Sequence, residues 1–408
     1  MNSTLAPHTI SCPAGTPAAG RTVLRLLRNL RHGSLTLQLP DGSMQRFGAD
    51  ETPHATLSLR NWNVCGAALR SGDIGFAESY IAGDWTTPNL VELLRVLVKN
   101  RAAVQAAVYG TWAGRLLYRV NHWFHRNTRA NSRKNVHAHY DLGNAFYRLW
   151  LDETMNYSSA LFHGDRTQTL AQAQTAKVRR ALEQARVQNG DRVLEIGCGW
   201  GALAEMAAKD YGACVTGVTL SPAQWASARE RLHRQGLGAK ADLRLQDYRD
   251  IDEPPFDAIC SIEMVEAVGH AYWPTYFATV ARLLKPGGYA CIQSIVIDDV
   301  LFERYLGSTD FIQQYIFPGG CLPSPGAFRQ QARAAGLEVC EELAFGEDYA
   351  ETLSRWREAF LERRAQVLKG GFDTRFLHIW EFYLAYCEAA FCEKNIDVVQ
   401  YTLRKPPY

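Results

Sequence analysis

The sequence predicts a doubly wound α/β sheet preceded by a small α+β domain, and three observations carry that reading. Strand-like and helix-like runs alternate from about residue 136 to the C-terminus. A glycine-rich turn, Gly197-Cys198-Gly199-Trp200-Gly201, follows directly on the buried strand pattern DRVLEI. With 408 residues, 47% of them apolar, the chain is long enough for two cores.

Composition excludes several classes. Lys plus Arg (44) exceeds Asp plus Glu (42) by only two, so overall charge gives no reason to expect nucleic acid as a partner. No apolar run approaches the roughly 18 residues of a spanning helix, and residues 382–392 are interrupted by Glu388. The ten cysteines include no C-x-x-C pair, which suits reduced thiols in a cytoplasm and no zinc site. The first residues lack a basic stretch followed by an apolar one, so no secretory signal is expected.

Residues 1–22, rich in Ala, Pro, Gly, Ser and Thr without hydrophobic period, are expected to be a disordered tail. The small domain is assigned to 23–100: SLTLQLPDGSMQRFG gives two strands joined at Asp41-Gly42, and ATLSLRNW gives another. Residues 101–135 form a basic linker. Between Leu93 and Tyr140 stand Arg95, Lys99, Arg101, Arg115, Arg119, Arg126, Arg129, Arg133 and Lys134, with no Asp or Glu. Interleaved aromatics such as Tyr109, Trp112 and Trp123 fit an amphipathic segment on an anionic membrane, and equally a solvated linker packed on the next domain. His137 and His139 stand two apart without accompanying carboxylates, so no metal site is expected there.

Residues 136–408 form the main domain. Helices are expected at 169–188, 202–209, 222–234, 275–284 and 375–394, the fourth closed by Lys285-Pro286-Gly287-Gly288. DRVLEI, CVTGVT, ADLRLQD, FDAICSI and YACIQSIVI are the strands between them, and IDVVQYTLR is expected as an antiparallel edge. The glycine loop alone admits two ligands. Its spacing through Ala202 fits a dinucleotide fingerprint, but the acid that would bind the ribose about 20 residues on is missing. Glu195 ahead of the glycines gives instead the order E-x-G-x-G-x-G of a Rossmann-like S-adenosylmethionine methyltransferase.

Six ordered segments, HAHYDLGNAFYRLWLDETMNYSSALF, VLEIGCGWG, LQDYRD, EMVEAVG, YIFPGGCLPS and DYAETLSRWREAF, resemble the cyclopropane-fatty-acyl-phospholipid synthases, which are related to the mycolic acid cyclopropane synthases. The resemblance implies that the small domain binds lipid. It also implies a reaction: the S-adenosylmethionine methyl is added to a cis double bond of a phospholipid acyl chain, then loses a proton as a three-membered ring closes. An unactivated alkene needs its electrophile held in line, a carbocation needs aromatic faces rather than nucleophilic oxygens, and the final proton needs a nearby base with water excluded.

By the same resemblance the base is a bound bicarbonate, held by Glu266, Tyr349 and the backbone amide of Ile295. Ser159 stands where many members have Cys, and Gln293 where many have His; both can still donate hydrogen bonds. The implied cofactor residues are Tyr157 and Ser158 near the methionine end, then Glu195, Gly197, Gly199 and Gly201. Thr219 and Gln224 follow the second strand, and Gln246 and Asp247 lie near the adenine. Tyr383 and Tyr386 are core candidates that could also face the carbocation. Peripheral attachment at a phospholipid surface and a homodimer are further expectations. The alternatives are a methyltransferase that stops without ring closure and a lipid-binding protein without activity.

Overall fold

The computed structural model describes residues 13–101 and 142–407, which fall into two units divided between Leu117 and Tyr118. Of the basic linker only Arg101 is described. The remaining linker residues, with His137 and His139, lie outside the described residues.

In the first unit, strands β1 (Ser34–Gln38), β2 (Met44–Gly48), β3 (His54–Leu59) and β4 (Trp85–Thr86) form a sheet of order β2-β1-β3-β4. The Asp41-Gly42 turn makes β1 and β2 antiparallel, while β3 runs parallel to β1. Leu35, Leu37, Leu57 and Leu59 are buried at every second position, as one covered face requires. Helices Ala18–Leu27, Asn63–Ile81 and Leu90–Lys99 accompany the sheet. The first of them begins inside the expected tail, because Leu24 and Leu27 bury their side chains. Only residues 13–17 of that tail are described without helix.

The second unit is a mixed α/β structure around a seven-stranded Rossmann-like sheet. Its strands are β5 (Arg192–Ile196), β6 (Cys214–Thr219), β7 (Ala241–Leu245), β8 (Phe256–Ile262), β9 (Leu284–Ile297), β10 (Glu338–Ala344) and β11 (Ile396–Arg404). Their order is β10-β11-β9-β8-β5-β6-β7. β5 is flanked by β6 and β8, both parallel to it, so the chain reverses direction across the sheet at the carboxyl end of β5. Two apolar layers cover the sheet, one including Leu194, Ile196, Ile259 and Phe277, the other Val193, Val215, Ala204 and Val178.

Two sequence expectations change here, and one strand is new. β11 is antiparallel as expected but is not an edge, since β10 pairs outside it. Its residues 398–403 are buried, whereas the edge strand β10 (EVCEELA) carries three glutamates and has no buried residue. That charge hid β10 from a reading based on hydrophobic alternation. Lys285-Pro286-Gly287-Gly288 does not follow a helix ending at 284 as a separate turn. The helix Trp273–Leu283 passes straight into β9, and the register shift opposite Phe256 and Ala258 absorbs the irregular residues.

Candidate active site

The glycine loop leaves β5 and enters the helix Ala202–Asp210. Gly197 and Cys198 both donate backbone N–H bonds to the Val218 carbonyl, which folds the loop against β6. Gly197 has φ +86°, and a Cβ there would meet the Met264 side chain at 2.4 Å. Gly199 has φ +49° with nothing within 4 Å of where its Cβ would stand. One glycine therefore permits close packing, and the other borders open space in which a ligand can approach the backbone. Glu195 is buried beside them, and its Oε2 has no hydrogen-bond partner. Burial pushes its carboxyl up to about 8, opposed by Lys177 and Arg231.

Beyond β6, Thr219 Oγ1 lies 3.1 Å from Gln224 Oε1, and Ser221 caps the next helix through the Gln224 N–H. Gln246 donates its backbone N–H to the Thr219 carbonyl. Asp247 is buried, accepts both the backbone N–H and the guanidinium of Arg249, and begins the short turn Tyr248–Asp250. Thr219, Gln224, Gln246 and Asp247 thus lie along the carboxyl ends of β6 and β7, beside the glycine loop. The open cradle at Gly199 and the unpartnered Glu195 Oε2 fit S-adenosylmethionine, with Glu195 and the loop able to receive its polar end.

Tyr157, Ser158 and Ser159 reach the site on an extended segment pinned from several sides. Ala160 N–H donates to Thr352 Oγ1 (3.1 Å) and Phe162 N–H to Asp348 Oδ2 (2.7 Å), both on the helix Gly346–Glu362. Gln174 Nε2 donates to the Ser158 carbonyl. Lys177, fully buried, donates Nζ to Ser158 Oγ at 2.5 Å. Burial pulls that ammonium down to about 8, against the attraction of Glu263, Asp152 and Glu195. Tyr157 and Tyr383 share a hydroxyl–hydroxyl hydrogen bond of 2.8 Å inside a wall of rings formed by Tyr147, Trp150, Trp356 and Trp380. Tyr383 belongs to this wall, whereas Tyr386 packs against Phe311 and Phe382.

The expected anion pocket has a different centre. Ser159 backbone N–H (2.9 Å) and Gln293 Nε2 (2.7 Å) donate to Glu263 Oε1, and Tyr349 OH donates to Glu263 Oε2 (2.7 Å). The Ser159 hydroxyl turns away to the Ala160 carbonyl. The Ile295 N–H is bonded to Glu266 Oε1, and the other oxygen of Glu266 is buried without a partner. Burial, reinforced by the neighbouring charge of Glu263, pushes Glu266 up to about 8. Bicarbonate does not fit this arrangement, because the donors meant for it are already bonded to the side chains of Glu263 and Glu266, and an added anion would face the Glu263 carboxylate.

Glu263 escaped the sequence reading, as did the residues that orient its partners. Arg180 donates to Gln400 Oε1 (2.6 Å), Gln400 Nε2 to Gln293 Oε1 (3.0 Å), and Gln293 Nε2 to Glu263. A side-chain amide serves at position 293 because it must accept on one side and donate on the other. Glu263 also has φ +52°, a conformation unusual for a residue with a side chain. Acids just past the end of a strand, here three residues before Glu266, are the signal that could have found it. Among the described residues no cluster of His, Cys, Asp or Glu could hold a metal ion.

Sheet order, glycine loop and buried acid define the S-adenosylmethionine-dependent methyltransferase class. Comparison with known proteins narrows it. Residues 127–401 match the family model described as mycolic acid cyclopropane synthetase, and the chain belongs to that family. It is 38% identical to the tuberculostearic acid methyltransferase of Mycobacterium tuberculosis, over 97% of this chain and 94% of that one. To the cyclopropane-fatty-acyl-phospholipid synthase of Escherichia coli K12 it is 34% identical, over 85% and 87%. A crystal structure of a mycolic acid cyclopropane synthase complexed with SAH and CTAB superposes with a TM-score of 0.63 at 33% identity, covering 67% of this chain and 98% of that one. The protein is an S-adenosylmethionine-dependent enzyme transferring methyl or methylene groups to lipids.

Proposed function

We propose that the enzyme acts on a cis double bond in a phospholipid acyl chain and closes a cyclopropane ring. The observation that carries this reading is the placement of a buried carboxylate pocket beside both the cofactor loop and an aromatic wall. Met264, next to Glu263, is the side chain that packs against Gly197, and Tyr349 joins Glu263 to the ring of Trp356. S-adenosylmethionine, when bound, supplies an electrophilic methyl. The rings of Tyr157, Trp150, Trp356 and Trp380 offer π faces to a carbocation and exclude water, and the pocket receives the proton that must leave. The phospholipid substrate is supported by the similarity to the Escherichia coli synthase along most of the chain.

This reading takes the protein to a membrane surface. No helix among the described residues is long and apolar enough to cross a membrane, so attachment would be peripheral. A second reading has one observation in its favour: the chain matches a tuberculostearic acid methyltransferase over nearly its whole length. Loss of a proton from the acyl chain instead of the new methyl would then leave a methyl-branched alkene. Both products add CH2, so mass alone does not separate them. Cells with and without the gene, compared by fatty acid methyl ester profiling and proton resonance, decide. Ring protons at unusually high field support cyclopropanation, a branched alkene supports the second reading, and no modified lipid overturns both.

A further inference from the structure

We infer that Glu263 is the catalytic base of this enzyme, taking the role in which an exogenous anion was expected. The inference rests on the proposed one-carbon transfer to a lipid double bond. Three donors converge on one carboxylate: Ser159 N–H and Gln293 Nε2 on Oε1, Tyr349 OH on Oε2. Gln293 and Tyr349 are two of the five groups that the family resemblance assigns to holding an anion, and Ser159, a third of those residues, takes part through its backbone. A carboxylate has about four lone-pair positions, so one remains, and it is on Oε2, the oxygen with a single partner.

The alternative is a structural carboxylate that merely ties segments together, and two features speak against it. Holding a glutamate at φ +52° is unfavourable relative to glycine, which adopts that conformation freely. Burying a carboxylate adds a desolvation penalty, with Glu266 alongside as a second acid. An amide in the same place would accept the two N–H bonds on one oxygen without burying a charge. The neighbours also hold the group still: the Glu263 N–H donates to the Gln293 carbonyl at 2.8 Å, and the relay from Arg180 through Gln400 fixes the orientation of the Gln293 amide.

In the step that follows, the alkene π pair forms the new carbon–carbon bond, and sulfur keeps the pair of the carbon–sulfur bond that breaks. The resulting chain carbocation is neutralised when Glu263 Oε2 takes a proton from carbon. The released carbon–hydrogen pair closes the ring or forms a double bond, so the base is the same for either product. No oxidant, reductant or added anion is required.

The test compares the wild type with Glu263→Gln and Glu263→Gly in carbon-dioxide-depleted buffer, then with added bicarbonate or formate. Glycine suits the backbone conformation and opens the space the carboxylate fills. Wild-type turnover should ignore bicarbonate. Glu263→Gln should lose on the order of 10²-fold or more in kcat, the scale of lost general-base assistance, with unchanged S-adenosylhomocysteine affinity by calorimetry. Glu263→Gly should be as slow, and bicarbonate or formate should restore a measurable part of its rate. Wild-type dependence on bicarbonate, or a fully active Glu263→Gln, would overturn the assignment while leaving methyl transfer intact. A wild type that modifies no lipid would instead overturn the proposed function.

Discussion

The two halves of the site are built on opposite plans. Around Gly199 the backbone borders open space and the buried Glu195 keeps an oxygen without a partner, whereas around Glu263 the donors are already spoken for. A site that must admit and release a cofactor at every turnover keeps space and a polar atom open for it. A site that handles a proton can be closed and preorganised, because nothing larger passes through it. The first plan shows in glycines and the second in paired polar residues distant in sequence.

The sharpest way to break the comparison is to fill the open half. Gly199→Val places a branched side chain where φ is +49° and the ligand approaches, so S-adenosylmethionine binding should be abolished in a protein with a native circular dichroism spectrum. Normal affinity in the folded variant would remove the loop from the cofactor site.

Glu266→Gln probes the closed half through stability. With its carboxyl raised from 4.5 to about 8, Glu266 stays protonated in the fold while the unfolded chain ionises it between those values. The unfolded state then binds fewer protons, so this group makes stability fall as pH rises through that window. The neutral amide, which can still accept from Ile295 N–H, should therefore be more stable than the wild type at pH 8.5 by on the order of a few kcal/mol, with little difference at pH 4.5. Denaturant melts at the two values check the sign.

A smaller effect is expected from Gln293→Leu. It leaves Gln400 Nε2 and Glu263 Oε1 each short of a partner, and the lost bonds should cost about 1–3 kcal/mol in urea unfolding. Lys177→Met removes the buried cation whose charge favours ionised Glu263 and Glu195. The acid limb of the pH–rate profile should move to higher pH, by on the order of one unit. An unmoved limb would separate Lys177 from the site's electrostatics. Smallest per residue, neutralising Arg126, Arg129 or Arg133 should weaken binding to anionic vesicles by roughly 1 kcal/mol each, with sensitivity to salt.

The contrast also explains what the sequence could reveal. Strands β5 to β9 and their helices follow from period and caps; Thr169, for example, closes a capping box with Gln172 just ahead of the helix Leu170–Gln184. The cofactor loop is contiguous and glycine-marked, so it was legible in a few residues. The closed half is assembled from the 157–159 segment, β9, β11 and the helix Gly346–Glu362, and which of two acids three residues apart receives the donors depends on a backbone turn at φ +52°. Resemblance placed Ser159, Gln293 and Tyr349, together with Glu266 and the Ile295 amide, around a bound bicarbonate; the fold gathers the first three on Glu263 and ties Ile295 to Glu266. Lys177 reads as one more polar residue on a helix until tertiary packing buries it.

The most direct test of methyl transfer followed by proton loss from the transferred carbon uses S-adenosylmethionine carrying a fully deuterated methyl, the purified enzyme and phospholipid vesicles with unsaturated chains. Mass spectrometry of the modified acyl chain should show two deuterium atoms retained and one lost to the base. Three retained would mean that the proton leaves from the chain, as in the non-cyclising reading, and a lipid without deuterium would contradict the account altogether.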